Sequence, residues 1–204
     1  CGNGKLWENN TYNLRNREIF LSDISEGMLE DTRKKLGNDY NYIVLDAQNI
    51  PFKNHFFDTV IANHVLFYLQ DLNLGLLEIS RVLKDYGIFY CTTYGNMKEI
   101  TEIVHNFDSR IQLSNNNLVE HFGLENGKTL LSPYFKQIEL KRYDDYLIVD
   151  DAKALMNYIM SCHGNQKEYL GYRLKEFQAH LEKIIDENNG IKITKDCGLF
   201  ICRK

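Results

Sequence analysis

The chain has no CxxC pair and an odd number of cysteines, five in 204 residues (Cys1, Cys91, Cys162, Cys197 and Cys202). Neither a disulfide framework nor a zinc site is indicated, and the thiols read as reduced, mostly core residues. No uninterrupted apolar run approaches the about 18 residues of a membrane span, and no basic-then-apolar segment opens the chain. The expectation is a soluble, cytoplasmic protein without a membrane partner. No charge of one sign dominates: 24 Lys plus Arg stand against 28 Asp plus Glu, a net charge of −4, and there is no basic tail. That argues against nucleic acid as a partner and gives weight to a small-molecule one. No internal repeat, linker or low-complexity tract divides residues 1–204, which read as one domain. What is present is apolar material, 44% hydrophobic and 12% aromatic residues, enough for a sizeable core.

Through the first half, strands alternate with helices, the pattern of a doubly wound parallel sheet covered on both faces. Glu18-Ile19-Phe20-Leu21, Tyr42-Ile43-Val44-Leu45 and Asp58-Thr59-Val60-Ile61-Ala62-Asn63 read as buried strands. Ser25 is placed to cap a helix through Met28, Leu29 and Leu36, because its hydroxyl can accept an orphan amide hydrogen, and Gly37 can turn left-handed after the last turn. Leu72, Leu76, Ile79 and Leu83 repeat at helical spacing, and Gly87 separates that helix from a strand at Ile88-Phe89-Tyr90-Cys91-Thr92.

Beyond Gly95 the texture changes. An amphipathic helix is expected from Met97 to Phe107, a polar break at Ser114-Asn115-Asn116-Asn117, and partial helix from Leu118 to Leu131. Residues 96–134 read as a cap inserted at the carboxyl ends of the strands, where an open α/β sheet holds its ligand. Gln137 to Val149 then alternates like an exposed strand, Asp151 to Cys162 and Glu168 to Ile185 read as helices, and Ile191 to Cys202 supplies a final strand. The fold expected is α/β: a doubly wound sheet, mostly parallel with an antiparallel edge strand, plus a helical cap.

The strand ends carry a ladder of acids. A glycine-rich turn, Cys1-Gly2-Asn3-Gly4, is followed by Asp23 after the first strand and Asp46 after the second. Glycines lacking a Cβ let a backbone approach a ligand closely, and an acid at the tip of a parallel strand can accept both hydroxyls of a ribose. The pattern reads as a nucleotide-type cofactor site. Cys1-Gly2-Asn3-Gly4-Lys5-Leu6 is followed in order by Phe20-Leu21-Ser22-Asp23-Ile24-Ser25-Glu26-Gly27-Met28-Leu29 and by Asp46-Ala47-Gln48-Asn49-Ile50-Pro51-Phe52. Ile61-Ala62-Asn63-His64-Val65-Leu66-Phe67-Tyr68 and Arg81-Val82-Leu83-Lys84-Asp85-Tyr86-Gly87 come next.

Together these segments, over roughly residues 1 to 95, resemble the class I S-adenosylmethionine-dependent methyltransferases of the methyltransferase domain 11 type, which have a Rossmann-like sheet. The first is similar to the second half of a GxGxG turn, and the last to an RVLKPGG turn with Asp85-Tyr86 in place of Pro-Gly. The resemblance implies S-adenosylmethionine as cofactor. It would be held by the Gly2, Asn3 and Gly4 turn, by Asp23 on the ribose and the adjoining Ile24, by Met28 near the adenine, by Asp46 and the Ala47 amide on the adenine edge, and by Asn63 beside the methionine moiety. His64 would face the methyl-transfer centre as a candidate general base. Tyr68, Tyr94 and His121 are further candidates for lining the pocket. No metal is implied.

A nicotinamide-dependent dehydrogenase would also show a glycine turn and an acid about 20 residues later. The third glycine of its GxGxxG falls where Trp7 stands, however, and that glycine is needed for close helix-to-strand packing. Asp46 has no standard role in such a site. Each residue also has a plainer reading. Gly2 and Gly4 could be turn glycines, Asp23 a helix cap, Asp46 an Asx-turn acid holding the Asn49-Ile50-Pro51 bend, Met28 core filler, and His64 a structural histidine.

In the resembled fold a buried central strand precedes the glycine turn. Four or five aliphatic residues contributing roughly 1.5–3 kcal/mol each are a large part of the about 5–15 kcal/mol that holds a domain together. The expectation is therefore a fragment of a longer parent, with the central gap filled by another segment or a partner chain, or a rearranged sheet. Two functions follow: a methyltransferase acting on a small-molecule acceptor, or a truncated or degenerate fold that binds cofactor or partner without turnover. A homo-oligomer stays open.

Overall fold

The computed structural model describes residues 1–10, 17–96, 98–113, 115–162 and 164–204. Met97 and Ser114, which bound two of the expected elements, lie outside them. The glycine turn leads into a single helical turn, α1 (Lys5–Glu8). Then β1 (Phe20–Asp23) runs into α2 (Glu26–Leu36) and β2 (Asn41–Val44), a parallel unit in which Phe20 faces Asn41 and Asp23 faces Val44. The helix begins where Ser25 accepts the Met28 N–H at 3.4 Å and ends at Gly37 with φ +81°, as the capping chemistry predicts.

A second parallel unit joins β3 (Phe57–Asn63) through α3 (Leu72–Val82) to β4 (Leu83–Tyr94), with Asn63 opposite Thr92. Asp71 caps α3 by accepting the Leu74 N–H at 3.0 Å. The chain continues through α4 (Lys98–Phe107), α5 (Asn115–Phe122), α6 (Gly127–Leu131), β5 (Gln137–Tyr143) and β6 (Tyr146–Val149). It closes with α7 (Ala152–Ser161), α8 (Gln166–Leu170), α9 (Leu174–Asn188), β7 (Ile191–Thr194) and β8 (Cys197–Arg203).

The described residues form three sheets: β1-β2, the four-stranded β3-β4-β8-β5, and β6-β7. Among them no strand stands between β1 and β3. The two parallel units are joined instead by an aromatic cluster, in which the Phe20 ring meets Phe52, Phe56 and Phe57 edge-on at centroid distances of 5.1, 5.8 and 5.5 Å. β8 is antiparallel to both β4 and β5. The antiparallel strand expected at the edge thus lies one place in from it, and β5 forms the edge.

The stretches 137–149 and 191–202, each expected as one strand, are each two. They run antiparallel along one another and bend together. At the bend Asp145 accepts the Lys195 N–H at 2.9 Å and its ammonium at 2.6 Å, and Arg142 pairs with Asp196 at 2.7 Å. The bend sends β5 and β8 to the main sheet and β6 and β7 to their own. The expected polar break at Asn115–Asn117 is instead the first turn of α5. The buried Val119 and Phe122 anchor that helix, and it extends back into the asparagines despite their low propensity.

Two apolar clusters hold the molecule. The first gathers Leu66, Leu76, Leu83, Phe89, Phe122, Leu131 and Phe200 around the main sheet. The second gathers Ile100, Val104, Ile159, Phe177, Leu181 and Ile193 among α4, α7, α9 and β7. Residues 96–134 divide between them, α4 joining the second and α5 with α6 the first. All five cysteines are free, but only Cys91 and Cys202 are buried, so the thiols are not mostly core. Burial pushes the Cys91 thiol well up, and its neighbour Cys202 adds to the effect.

Phe200 carries the main core across β8: it is fully buried, meets Phe122 edge-on at 5.9 Å, and packs over Gly127, where a Cβ would lie 2.6 Å from its ring. Phe200→Ala is expected to cost about 3–5 kcal/mol. The midpoint of urea unfolding should fall with its slope unchanged.

Candidate active site

The carboxyl ends of β1 and β2 present the two acids side by side, because parallel pairing puts Asp23 opposite Val44 and Asp46 two residues further on. Asp23 is the more heavily engaged. One carboxylate oxygen accepts the Gly2 N–H at 2.9 Å and the amino nitrogen of Cys1 at 3.1 Å, and the other accepts the Ser25 N–H at 3.0 Å. Burial pushes its pKa up, but hydrogen bonds from Ser25, Gly2 and Cys1 outweigh that and hold the carboxyl below its ordinary 3.8.

From the other side α2 grips the same turn. The Thr32 hydroxyl donates to the Gly2 carbonyl at 2.8 Å, and the Lys35 ammonium donates to the Asn3 carbonyl at 3.0 Å. Gly4 has φ +76°, and a Cβ there would lie 2.8 Å from Thr32 Cγ2, so glycine is required. Thr32 and Lys35 escaped the sequence reading, although they share a helix face with Met28 at spacings of four and three. Next to the clamp, Ile24 is 70% and Met28 45% exposed. Met28 is not core filler.

Asp46 makes the Asx turn of its plainer reading: it accepts the Gln48 N–H at 2.9 Å and the Gln48 side-chain amide at 3.1 and 3.0 Å. Ala47 is half-buried within that turn. The loop beyond is fastened to α3 by two residues the sequence reading passed over. Glu78 accepts the Ile50 N–H at 2.9 Å, while Arg81 donates to the carbonyls of Ile50 and Phe52 at 2.9 and 2.7 Å and to Glu78 at 2.7 Å. The Arg81 hydrogen bond holds the Glu78 carboxyl below its usual range. From sequence, an i, i+3 Glu–Arg pair reads only as a solvated helix face.

At the ends of β3 and β4 a different chemistry appears. The Thr92 hydroxyl lies 3.4 Å from the Asn63 side-chain oxygen, and the His64 N–H donates to the Thr92 carbonyl at 3.1 Å. These contacts accompany a left-handed backbone at His64, φ +50°, unusual for a residue with a Cβ. Its ring stacks on Tyr94, 5.8 Å between centroids and 23° between planes, and Tyr94 in turn meets Phe67 at 5.0 Å. Burial lowers the His64 pKa below 6.5, so the imidazole is neutral at pH 7 and able to accept a proton. Phe67 also meets Tyr68, which is 65% exposed.

Burial raises the Tyr94 phenol, with smaller contributions from Tyr68, from Tyr158 of α7 and from Cys197. Tyr158, on α7, was absent from the sequence reading. His121 instead bonds the Leu69 carbonyl through its ring nitrogen at 2.9 Å, a structural use. No group of three metal-ligating side chains occurs among the described residues, and no helix among them is long and apolar enough to cross a membrane.

Comparison with known proteins places this geometry. Residues 1–91 match the family model described as a methyltransferase domain. The ubiquinone/menaquinone biosynthesis C-methyltransferase of Rickettsia prowazekii is 35% identical over 89 residues, 41% of this chain and 36% of that protein. The chain thus spans about a third of the length of the curated relatives it matches. Among solved structures, a Bacillus halodurans protein superposes with a TM-score of 0.63 at 14% identity, covering all of this chain and 89% of that one. A phosphoethanolamine N-methyltransferase of Haemonchus contortus, solved with S-adenosylhomocysteine, superposes with a TM-score of 0.56 at 16% identity, covering all of this chain and 47% of that one. The protein therefore has the class I S-adenosylmethionine-dependent methyltransferase fold, with the family signature in residues 1–91.

The Asp23 clamp makes stability depend on acid. Because its folded pKa lies below the ordinary 3.8, the stabilisation is complete above that value and is lost as pH falls through and below it. Asp23→Asn is expected to be less stable than wild type at pH 7 and to show a flatter loss on acidification below 3.8, read from urea midpoints across pH.

Proposed function

We propose that the chain is an S-adenosylmethionine-dependent methyltransferase acting on a small-molecule acceptor in the cytoplasm, with the cofactor along the strand ends from the glycine turn to Asn63. The observation that carries this is the Asp23 corner. An ionised carboxylate sits between a glycine turn and two apolar side chains, Ile24 and Met28, left exposed where a flat ring could cover them. The residues fit the cofactor. Gly2, with φ +56° and nothing within 4 Å of where a Cβ would stand, leaves room for close approach, and Asn3 and Gly4 complete the turn. Asp23 would take the ribose hydroxyls, Asp46 with the Ala47 amide the adenine edge, and Asn63 the methionine end.

When bound, the cofactor supplies an electrophilic sulfonium methyl, so the protein's work is binding, orientation and proton handling. The glycine turn, Asp23, Asp46 and Asn63 would hold it, and it would supply both the methyl group and the sulfur leaving group. His64, neutral and beside Tyr94, would take the acceptor's proton and pass it to solvent. The second cluster would form the lid over this step, with α4 from the 96–134 segment in it. The other reading is a truncated or degenerate fold that binds cofactor or partner without turnover. Binding without transfer to any acceptor would favour it.

Titration calorimetry with S-adenosylmethionine and S-adenosylhomocysteine should show saturable binding that Asp23→Ala weakens more than about tenfold, or 1.4 kcal/mol; no binding to a folded sample would sink the proposal. His64→Asn keeps a residue tolerant of positive φ. It should leave S-adenosylhomocysteine affinity unchanged while lowering kcat by roughly 100- to 10,000-fold.

A further inference from the structure

One neighbour holds the Asp46 carboxylate at both of its oxygens. Oδ1 accepts the Gln48 N–H at 2.9 Å, and the Gln48 side-chain amide nitrogen lies 3.1 Å from Oδ1 and 3.0 Å from Oδ2. The first of these bonds is all that an Asx turn needs. The others come from a long, half-buried side chain that gives up rotamer freedom to make them. Its remaining polar atom is engaged as well: the Gln48 carboxamide oxygen accepts the Asp71 N–H at 2.7 Å, 23 residues along the chain.

Asp71 is the cap of α3, where it accepts the Leu74 N–H at 3.0 Å. The same helix lies against the turn through its backbone, since a Cβ on Gly75 would stand 3.9 Å from the Ala47 carbonyl oxygen. Gln48 therefore spans from the acid at the tip of β2 to the start of α3. A carboxamide suits both ends. Asp46 needs a donor and the Asp71 N–H needs an acceptor, which also settles which end of the amide is nitrogen. A glutamate at this position would keep the acceptor but set a second carboxylate against Asp46, and a methionine of similar length would supply neither bond.

We propose that Gln48 is the positioning residue of the adenine end of the site: it fixes the Asp46 carboxylate with Oδ2 able to accept the exocyclic amino group, and it anchors that carboxylate to the start of α3. An ionised carboxylate has about four acceptor positions. Gln48 makes two contacts to Oδ1 and one to Oδ2, so the capacity left over is on Oδ2. The amino-group part rests on the reading that puts Asp46 at the adenine edge; the tie to Asp71 stands on the geometry alone.

The test compares wild type, Gln48→Met and Gln48→Glu by titration calorimetry with S-adenosylhomocysteine and S-inosylhomocysteine, in which a carbonyl replaces the amino group. Hydrogen exchange at the Asp71 amide, followed by NMR without ligand, is the second readout. Wild type should bind the adenosyl ligand at least tenfold more tightly, and both variants should bring that preference below threefold. Asp71 exchange should rise at least tenfold in Gln48→Met and stay near the wild-type rate in Gln48→Glu, whose carboxylate still accepts the N–H. A variant of merely structural effect would weaken both ligands alike. Preference retained in both variants, or absent from wild type, would therefore overturn the positioning role while leaving the cofactor reading standing. Unchanged Asp71 exchange in Gln48→Met would overturn the anchor. Binding of neither ligand to folded wild type would remove the cofactor reading and the amino-group contact together, and the exchange rates would still decide the anchor.

Discussion

The Asp23 carboxylate organises the half of the molecule that carries the glycine turn. Its two oxygens tie the tip of β1 to Cys1 and Gly2 on one side and to Ser25 on the other. The same group therefore shapes the glycine turn and the entry to α2. Once α2 starts there, its regular pitch delivers Thr32 and Lys35 to the carbonyls of Gly2 and Asn3, so the turn is gripped from both ends. Parallel pairing with β2 then carries Asp46 to the neighbouring position without any direct bond between the acids. All of this depends on the carboxyl being ionised, which is also the state in which an acid accepts hydroxyl hydrogens. Fold stability and the proposed ribose contact thus draw on one protonation state.

β4 does the equivalent for the other half. Thr92 holds Asn63 and His64 at the end of β3, the buried Thr93 hydroxyl donates to the Phe122 carbonyl at 2.8 Å, and Tyr94 receives the His64 and Phe67 rings. Three consecutive residues so connect the end of β3, the α5 helix and the aromatic group. Alternation explains how one strand serves both sides: Cys91 and Thr93 are buried where Thr92 and Tyr94 are only partly so.

Local signals were legible in the sequence wherever one residue decides the outcome. Ser25 and Gly37 bound α2 as their capping chemistry requires, and the Leu72, Leu76, Ile79 spacing gave α3 to within a residue. The bends at 144–145 and 195–196 were not legible, because a strand that changes sheets keeps its alternation and the Asp145–Lys195 and Arg142–Asp196 pairs that fix the bend are about 50 residues apart. The α5 start was hidden by poor helix formers that the buried Val119 and Phe122 override. Arg81 and Glu78 went unrecognised because their targets are carbonyls and amides of a loop, groups every residue carries.

The match to the methyltransferase-domain family model ends at residue 91, inside β4. The glycine turn, both acids, Asn63 and His64 lie before it. Tyr94 and Tyr158, which complete the aromatic group, lie after it, in segments whose likeness to solved structures is one of fold at low identity. Fold likeness by itself carries no information about what the rings beyond residue 91 would meet.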